Sequence, residues 1–450
     1  MYEQPLSALV LSGGGARAAY QVGVLRALAR LRRQALGPRA RLSTPFGVIT
    51  GTSAGAINAC AIACHADRFD AAVEIVSKVW RDFSAEQVYR ADSLGLVRTG
   101  AQWLSMLSLG WAITRWRRLK PRSLLDNAPL AALLERLVPL ERLPMMFAQK
   151  QLHAVAVTAS SYSSGEHCTF YDAAVPVAPW QRSRRRAVPG PLSHAHLLAS
   201  SAIPFVFPSM RLQAPGLDGW FGDGSMRQTA PLSAAIHLGA ERLFIVGVGR
   251  TDDVSPEGAP AGPYPSLAQI AGHTMASLFL DALPVDIERL RRINRTLALL
   301  PEQVLAESAL KPIETLVISP SQRIDDIAER HVQSLPKPVR ALLRGVGVRG
   351  LDPSLQATLA MGDGGTRGAA SGAALASYLL FEAPYTRELM ALGEADTEAR
   401  AVEVLHFFGW DRVPAKRAAG PPPDWPPDPR ATPHTASHWP LLAAPDIELP

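Results

Sequence analysis

Leu6–Leu11 is a short unbroken apolar run, the pattern of a strand buried on both faces. Three glycines follow, and Ala18–Arg33 then carries apolar residues at helical spacing with arginines on the other face. Phe46–Thr50 predicts a second short strand, and the small residues from Ala54 to His65 predict a helix after Gly51. Two strand–turn–helix units in succession predict an α/β fold built on a parallel, helix-covered sheet.

Residues 67–143 are helical in pattern but irregular. Leu152–Ala159 reads as a strand, and Cys168–Tyr171 as part of another. His194–Ser201 predicts a helix running into the proline-punctuated stretch Ile203–Pro208. Pro231–Leu238 predicts a helix with proline in its first turn, where the missing N–H costs nothing, and Leu243–Val248 a further buried strand.

The text changes after Arg250. Thr251–Pro265 is rich in proline and glycine, and mainly helical sequence follows to Phe408, with one apolar strand at Leu316–Ser319. The last 40 residues hold 11 prolines and little periodicity. The expected organisation is therefore an α/β domain over 1–250, a helical C-terminal extension over 251–410 packed on it, and a proline-rich disordered tail over 411–450. No internal repeat is visible.

Composition narrows the choices. Hydrophobic residues make up 47% and charged residues 19% of 450, which suits a large buried core and excludes a disordered chain. The net charge of +6 is modest. It suits an anionic surface, and it equally suits an ordinary arginine-rich globular protein. No nucleic-acid recognition module is visible, so nucleic acid is not an expected partner. The three cysteines, Cys60, Cys64 and Cys168, have no framework spacing and point to a reducing compartment. No metal site and no cofactor are expected.

The N-terminus lacks a basic region, its apolar run is too short for a signal peptide, and no apolar stretch of about 18 residues follows. The expectation is a cytoplasmic protein whose membrane contact, if any, is peripheral. Two segments suit such contact with an anionic membrane. One has Trp103, Trp111 and Trp116 beside Arg115, Arg117, Arg118 and Lys120; the other has Trp180 beside Arg182, Arg184, Arg185 and Arg186. A solvated face with core tryptophans explains both equally well. The sequence says nothing of oligomeric state.

The chemistry-bearing motifs sit where the pattern changes from strand to helix. Gly51-Thr52-Ser53-Ala54-Gly55 fits G-x-S-x-G, in which a serine on a sharp strand-to-helix turn is flanked by glycines because larger side chains would clash. Ser53 is the candidate nucleophile. Gly13, Gly14 and Gly15, followed by Arg17, lie between the first strand and its helix, where inward-facing N–H groups make an anion hole. Gly13, Gly15 and Ala18 also satisfy a dinucleotide fingerprint, but that motif wants an acidic residue about 20 positions on. No Asp or Glu occurs between Glu3 and Asp67. An oxyanion hole is the better reading.

A serine nucleophile needs a base. None of the 11 histidines falls in a recognisable motif, although His273, His331 and His406 lie late enough for a Ser–His–Asp triad. Asp223, in Trp220-Phe221-Gly222-Asp223-Gly224-Ser225, is a carboxylate bracketed by glycines, and Asp-Gly is also a common hairpin turn.

Taken together these pieces resemble the patatin-like phospholipases. The features match in chain order: the Gly13–Gly15/Arg17 loop, the Gly51–Gly55 elbow, Ala199-Ser200-Ser201-Ala202-Ile203-Pro204 with Phe207-Pro208, and Asp223-Gly224 followed by Pro231. The match spans about residues 6–250. It implies a three-layer sandwich with a mostly parallel central sheet, and a lipid acyl ester as substrate. It also implies a Ser–Asp dyad without a catalytic histidine, in which Ser53 attacks and Asp223 takes the proton. The N–H groups of Gly13, Gly14 and Gly15 would hold the oxyanion, with Arg17 ordering the loop. Ala18 and Ser225 depart from the family, which often has glycine at both positions. The rival readings are an α/β-hydrolase esterase with a triad, and a non-catalytic lipid-binding protein of the same fold.

Overall fold

The computed structural model describes residues 5–37, 42–90, 123–214, 216–250, 267–308, 310–345 and 374–412. The described residues all belong to one compact unit. The tryptophan–arginine segment 103–120, the break at 251–265 and the proline-rich tail from 413 onward lie outside the described residues.

The first strand, β1 (Ser7–Leu11), is buried at every position, as a continuous apolar run requires. The 3-10 turn Gly15–Ala18 and helix α1 (Ala19–Leu36) follow it. Strand β2 (Val48–Thr52) leads directly into α2 (Ala54–Ala63), and α3 (Phe69–Arg81) packs beyond it. After α4 (Ala128–Leu137) come β3 (Ala154–Ser161) and β4 (His167–Ala173), then the small β5 (Gln181–Arg182) and β6 (Arg185–Pro189). Helix α5 (His194–Ser200) precedes a hairpin of β7 (Met210–Ala214) and β8 (Leu217–Asp223). Helix α6 is limited to Ser233–His237, so Pro231 stands before it rather than in its first turn. Strand β9 (Arg242–Val246) follows.

Among its described residues the later region is helical apart from one strand. It contains α7 (Leu267–Phe279), α8 (Ala282–Leu297), β10 (Glu314–Ile318), α9 (Ile324–His331), helical residues 374–379 and α10 (Ala383–Ala399).

The sheet runs β10-β9-β1-β2-β3-β4-β6-β5, with the β7–β8 hairpin branching from β3. All pairings from β10 to β3 are parallel; β3 pairs antiparallel with both β4 and β8. Alternation along the strands sends side chains into two separate cores, one on each face. Leu9, Leu11, Ile49, Phe244 and Val246 enter the larger core, and Ala8, Val10, Val48, Leu243 and Ile245 the smaller. The result is the expected mixed α/β three-layer arrangement around a mostly parallel sheet, with a helical C-terminal region. That region supplies β10 to the sheet edge and lays α10 along α1. There Tyr20 donates to Asp396 at 3.0 Å, and Arg26 and Arg30 pair with Glu394.

No helix among the described residues is long and apolar enough to cross a membrane.

Candidate active site

β2 ends at Thr52 and α2 begins at Ala54, so Ser53 is the whole turn between them. Its backbone stands at φ 56° and ψ −131°, a conformation costing about 1–3 kcal/mol that persists only where its surroundings impose it. Gly51 and Gly55 make the turn possible. A Cβ on Gly51 would overlap the Gly55 carbonyl, and one on Gly55 would overlap the Ser12 carbonyl. The elbow and the glycine loop therefore press on each other through bare backbone.

Gly13 lies against the serine: a Cβ added there would stand 3.1 Å from Ser53 Cβ. Gly14 backs onto Val248, and Gly15, at φ 56°, abuts the Tyr378 carbonyl. The N–H groups of Gly13 and Gly14 donate to no backbone carbonyl of the described residues.

Asp223 ends β8, where antiparallel pairing with β3 sets it opposite Ala159. It is completely buried. Ser53 Oγ donates to Asp223 Oδ2 at 2.6 Å, and the Ser225 N–H donates to Oδ1 at 2.8 Å. Burial pushes the carboxyl up to about 6, while the bonds from Ser53 and Ser225 pull the other way. A carboxyl poised there ionises near neutrality yet remains a competent proton acceptor.

The Ala199–Pro204 segment, whose chemistry was not visible in the sequence, ties these two residues together. Ser200 Oγ accepts the Ser53 N–H at 2.9 Å, and the Ala202 carbonyl accepts the Asp223 N–H at 3.0 Å. One short stretch at the end of α5 thus fixes both ends of the Ser53–Asp223 bond.

Arg17 is buried, and its partners come from far along the chain. Its Nε donates to Ser377 Oγ at 2.8 Å, Nη2 pairs with Asp325 at the start of α9, and the guanidinium lies 4.3 Å from the Tyr378 ring centre. The Arg17 N–H also closes onto the Gly14 carbonyl. Behind the loop, Trp80 Nε1 donates to Asn58 Oδ1, Asn58 Nδ2 to Gln21 Oε1, and Gln21 Nε2 to the Ser12 carbonyl. None of Asp325, Ser377 or Tyr378 carries a local sequence signal for this role.

Four of the histidines have partners elsewhere. His196 accepts the Ser193 N–H in a helix cap, and His194 meets the Val138 carbonyl. His331 bonds Glu388 and His406 bonds Asp411. Trp180 is stacked on Tyr171 and His237, so it packs rather than projects; Arg182 and Arg184 beside it are exposed.

Ser53 also opens on an apolar pocket of about 40 Å³, walled by Ile57, Val79, Leu130, Leu133, Ile203 and Phe207 among others.

A serine on a strained strand-to-helix turn, bonded to a buried carboxylate beside a glycine loop, is the arrangement that serine-based acyl transfer requires. The family model described as Patatin-like phospholipase matches residues 9–236, and the chain belongs to that family. Membership supports lipid-hydrolase activity. Among solved structures, VipD from Legionella pneumophila is 12% identical, with 86% of this chain and 67% of that one covered and a TM-score of 0.30. ExoU of the Pseudomonas aeruginosa type III secretion system, in complex with SpcU, is 16% identical, with 89% and 78% covered and a TM-score of 0.23. No curated protein matches the sequence.

Proposed function

We propose that the protein is a serine-dependent carboxylic ester hydrolase of lipid acyl esters that works through an acyl-enzyme. The observation carrying this reading is the 2.6 Å bond from Ser53 Oγ to the fully buried Asp223 carboxylate. Ser53 Oγ attacks the ester carbonyl as its proton passes to Asp223 Oδ2. The carbonyl oxygen becomes an oxyanion facing the N–H groups of the Gly13–Gly15 loop. Collapse of the tetrahedral intermediate expels the alcohol, which takes its proton from Asp223. Water, deprotonated by the same carboxylate, then attacks the acyl-enzyme, and collapse of that second intermediate returns the proton to Ser53 as the acid leaves.

The reading is supported against a histidine triad by the direct serine–carboxylate bond. It is supported against a binding-only role by a strained elbow that binding does not need. Exposed Arg182 and Arg184 favour peripheral contact with an anionic membrane.

Fluorophosphonate labelling followed by peptide mapping tests the proposal: the adduct falls on Ser53 and is lost in Asp223→Asn. Labelling that maps to another serine, or that depends on His273, His331 or His406, overturns it. Sedimentation of the protein with phospholipid vesicles, with and without anionic lipid, reads the membrane contact. Equal binding to both at low salt would remove that part.

A further inference from the structure

The pocket that Ser53 lines is also lined by aromatic side chains contributed by two distant parts of the chain. Trp80 closes the C-terminal end of α3, Phe83 follows in the adjoining loop, and Phe381 sits in the link before α10. All three line the same pocket as Ser53, and all are buried. Phe83 lies 4.8 Å from Trp80 and 5.5 Å from Phe381 between ring centres. Trp80 is pinned at both ends, by its indole N–H on Asn58 and by its carbonyl on the Thr386 hydroxyl at 2.6 Å. Phe83 and Phe381 stand on loop segments, with apolar contacts alone to hold their rings.

The free space is small. An engineered cavity of about 150 Å³ takes benzene. The pocket's 40 Å³ is roughly a quarter of that, room for about two carbons. Apart from Ser53, Gly15 and Ser201, its lining is entirely apolar, so the part of a substrate entering it is hydrocarbon rather than headgroup.

We propose that this pocket receives the acyl chain and that Phe83 and Phe381 form its floor, restricting the enzyme to short acyl groups. The proposal rests on Ser53 being the acylated residue. Phe381 is thus a specificity-determining residue lying beyond the segment, 9–236, that matches the family. A longer chain must displace the two rings from their contacts with Trp80, and each methylene it fails to bury forfeits discrimination.

The test is a series of p-nitrophenyl esters from acetate to palmitate, run on the wild type, Phe381→Ala, Phe83→Ala and the milder Phe381→Leu. The wild type is expected to peak at butyrate or shorter. The alanine variants should move the peak out by about four carbons and raise the octanoate-to-butyrate ratio of kcat/KM roughly tenfold or more. Superimposable profiles in all four proteins, or a wild-type peak at dodecanoate or longer, would overturn the proposal.

Calorimetric titration of Ser53→Ala, with and without Phe381→Leu, using butyrate and octanoate reads the pocket without turnover. Octanoate binding gained only in the double variant supports the floor even if no ester is hydrolysed, in which case the catalytic reading fails alone. Octanoate binding equal in both refutes the floor whatever the esterase assay gives.

Discussion

Asp325→Ala tests how far the late part of the chain governs the glycine loop. Arg17 is 2% exposed, and Asp325, at 19%, is its only carboxylate partner among the described ion pairs. Removing one partner of a buried pair leaves a charge that the interior cannot solvate, at a cost of about 3–5 kcal/mol. Asp325 is reached by some water, and Ser377 Oγ and the Tyr378 ring remain in place, so a loss of about 2–3 kcal/mol is expected. The same substitution should disturb chemistry, because Arg17 closes onto the Gly14 carbonyl and Gly13 touches Ser53. A displacement of about 1 Å at such a loop costs about 100-fold in rate. We expect kcat to fall by about 10–100-fold with KM changed less than about threefold, since the acyl pocket makes no use of Asp325. Urea unfolding and steady-state hydrolysis of a soluble ester measure both effects. Glu394→Ala, which removes half-exposed pairs with Arg26 and Arg30, is the control, and should cost about 1 kcal/mol or less with unchanged kcat. Loss of stability with kcat intact would show the pair to be scaffolding alone and refute the positioning role.

Two further outcomes follow from the hydrogen bonds at the serine. Asp223 has its carboxyl raised to about 6 by burial, against an ordinary value near ~3.9, so kcat/KM should rise with pH through an apparent value of about 6 as the base ionises. Stability runs the other way: what the raised carboxyl contributes is complete below about pH 4 and is lost as pH rises through about 6. Asp223→Asn should therefore be as stable as the wild type or more so above pH 6, by roughly 1–3 kcal/mol, while turnover falls about 10²–10⁴-fold. Thermal melts across pH 4–8 that are less stable for the variant throughout would contradict this. Ser200→Ala strips the acceptor from the Ser53 N–H, leaving a buried donor unsatisfied at about 1–3 kcal/mol. Slower fluorophosphonate labelling of Ser53 alongside lowered stability is the expected pair of readouts, and labelling at the wild-type rate would show that the elbow holds its shape without Ser200.

What the sequence made legible is what the fold decides locally. The strands β1, β2, β3 and β9 are continuous apolar runs because both faces of the sheet are covered, and the glycines at 13–15, 51 and 55 stand where a Cβ would strike a neighbouring segment. The β7–β8 hairpin went unread although β7 alternates apolar and polar residues; in β8 the pattern is broken by Gly219 facing in and the half-exposed Trp220 facing out. It was nonetheless the hairpin that decided where Asp223 goes, through pairing with β3. The role of Ser200, and what holds Arg17 in place, were hidden for a different reason. Their partners lie 147 and 308 residues away, and a hydroxyl or guanidinium bound at that range leaves no periodic trace. The same distance argues that the helical region after 250 is part of the machinery. A chain lacking it would keep the serine, the aspartate and the glycines. It would leave Arg17 as an unpaired charge, Gly15 without the Tyr378 backbone against which it folds, and the pocket without Phe381. On the proposed mechanism, the residues that match the family carry the reacting atoms, and the residues beyond them hold those atoms in register.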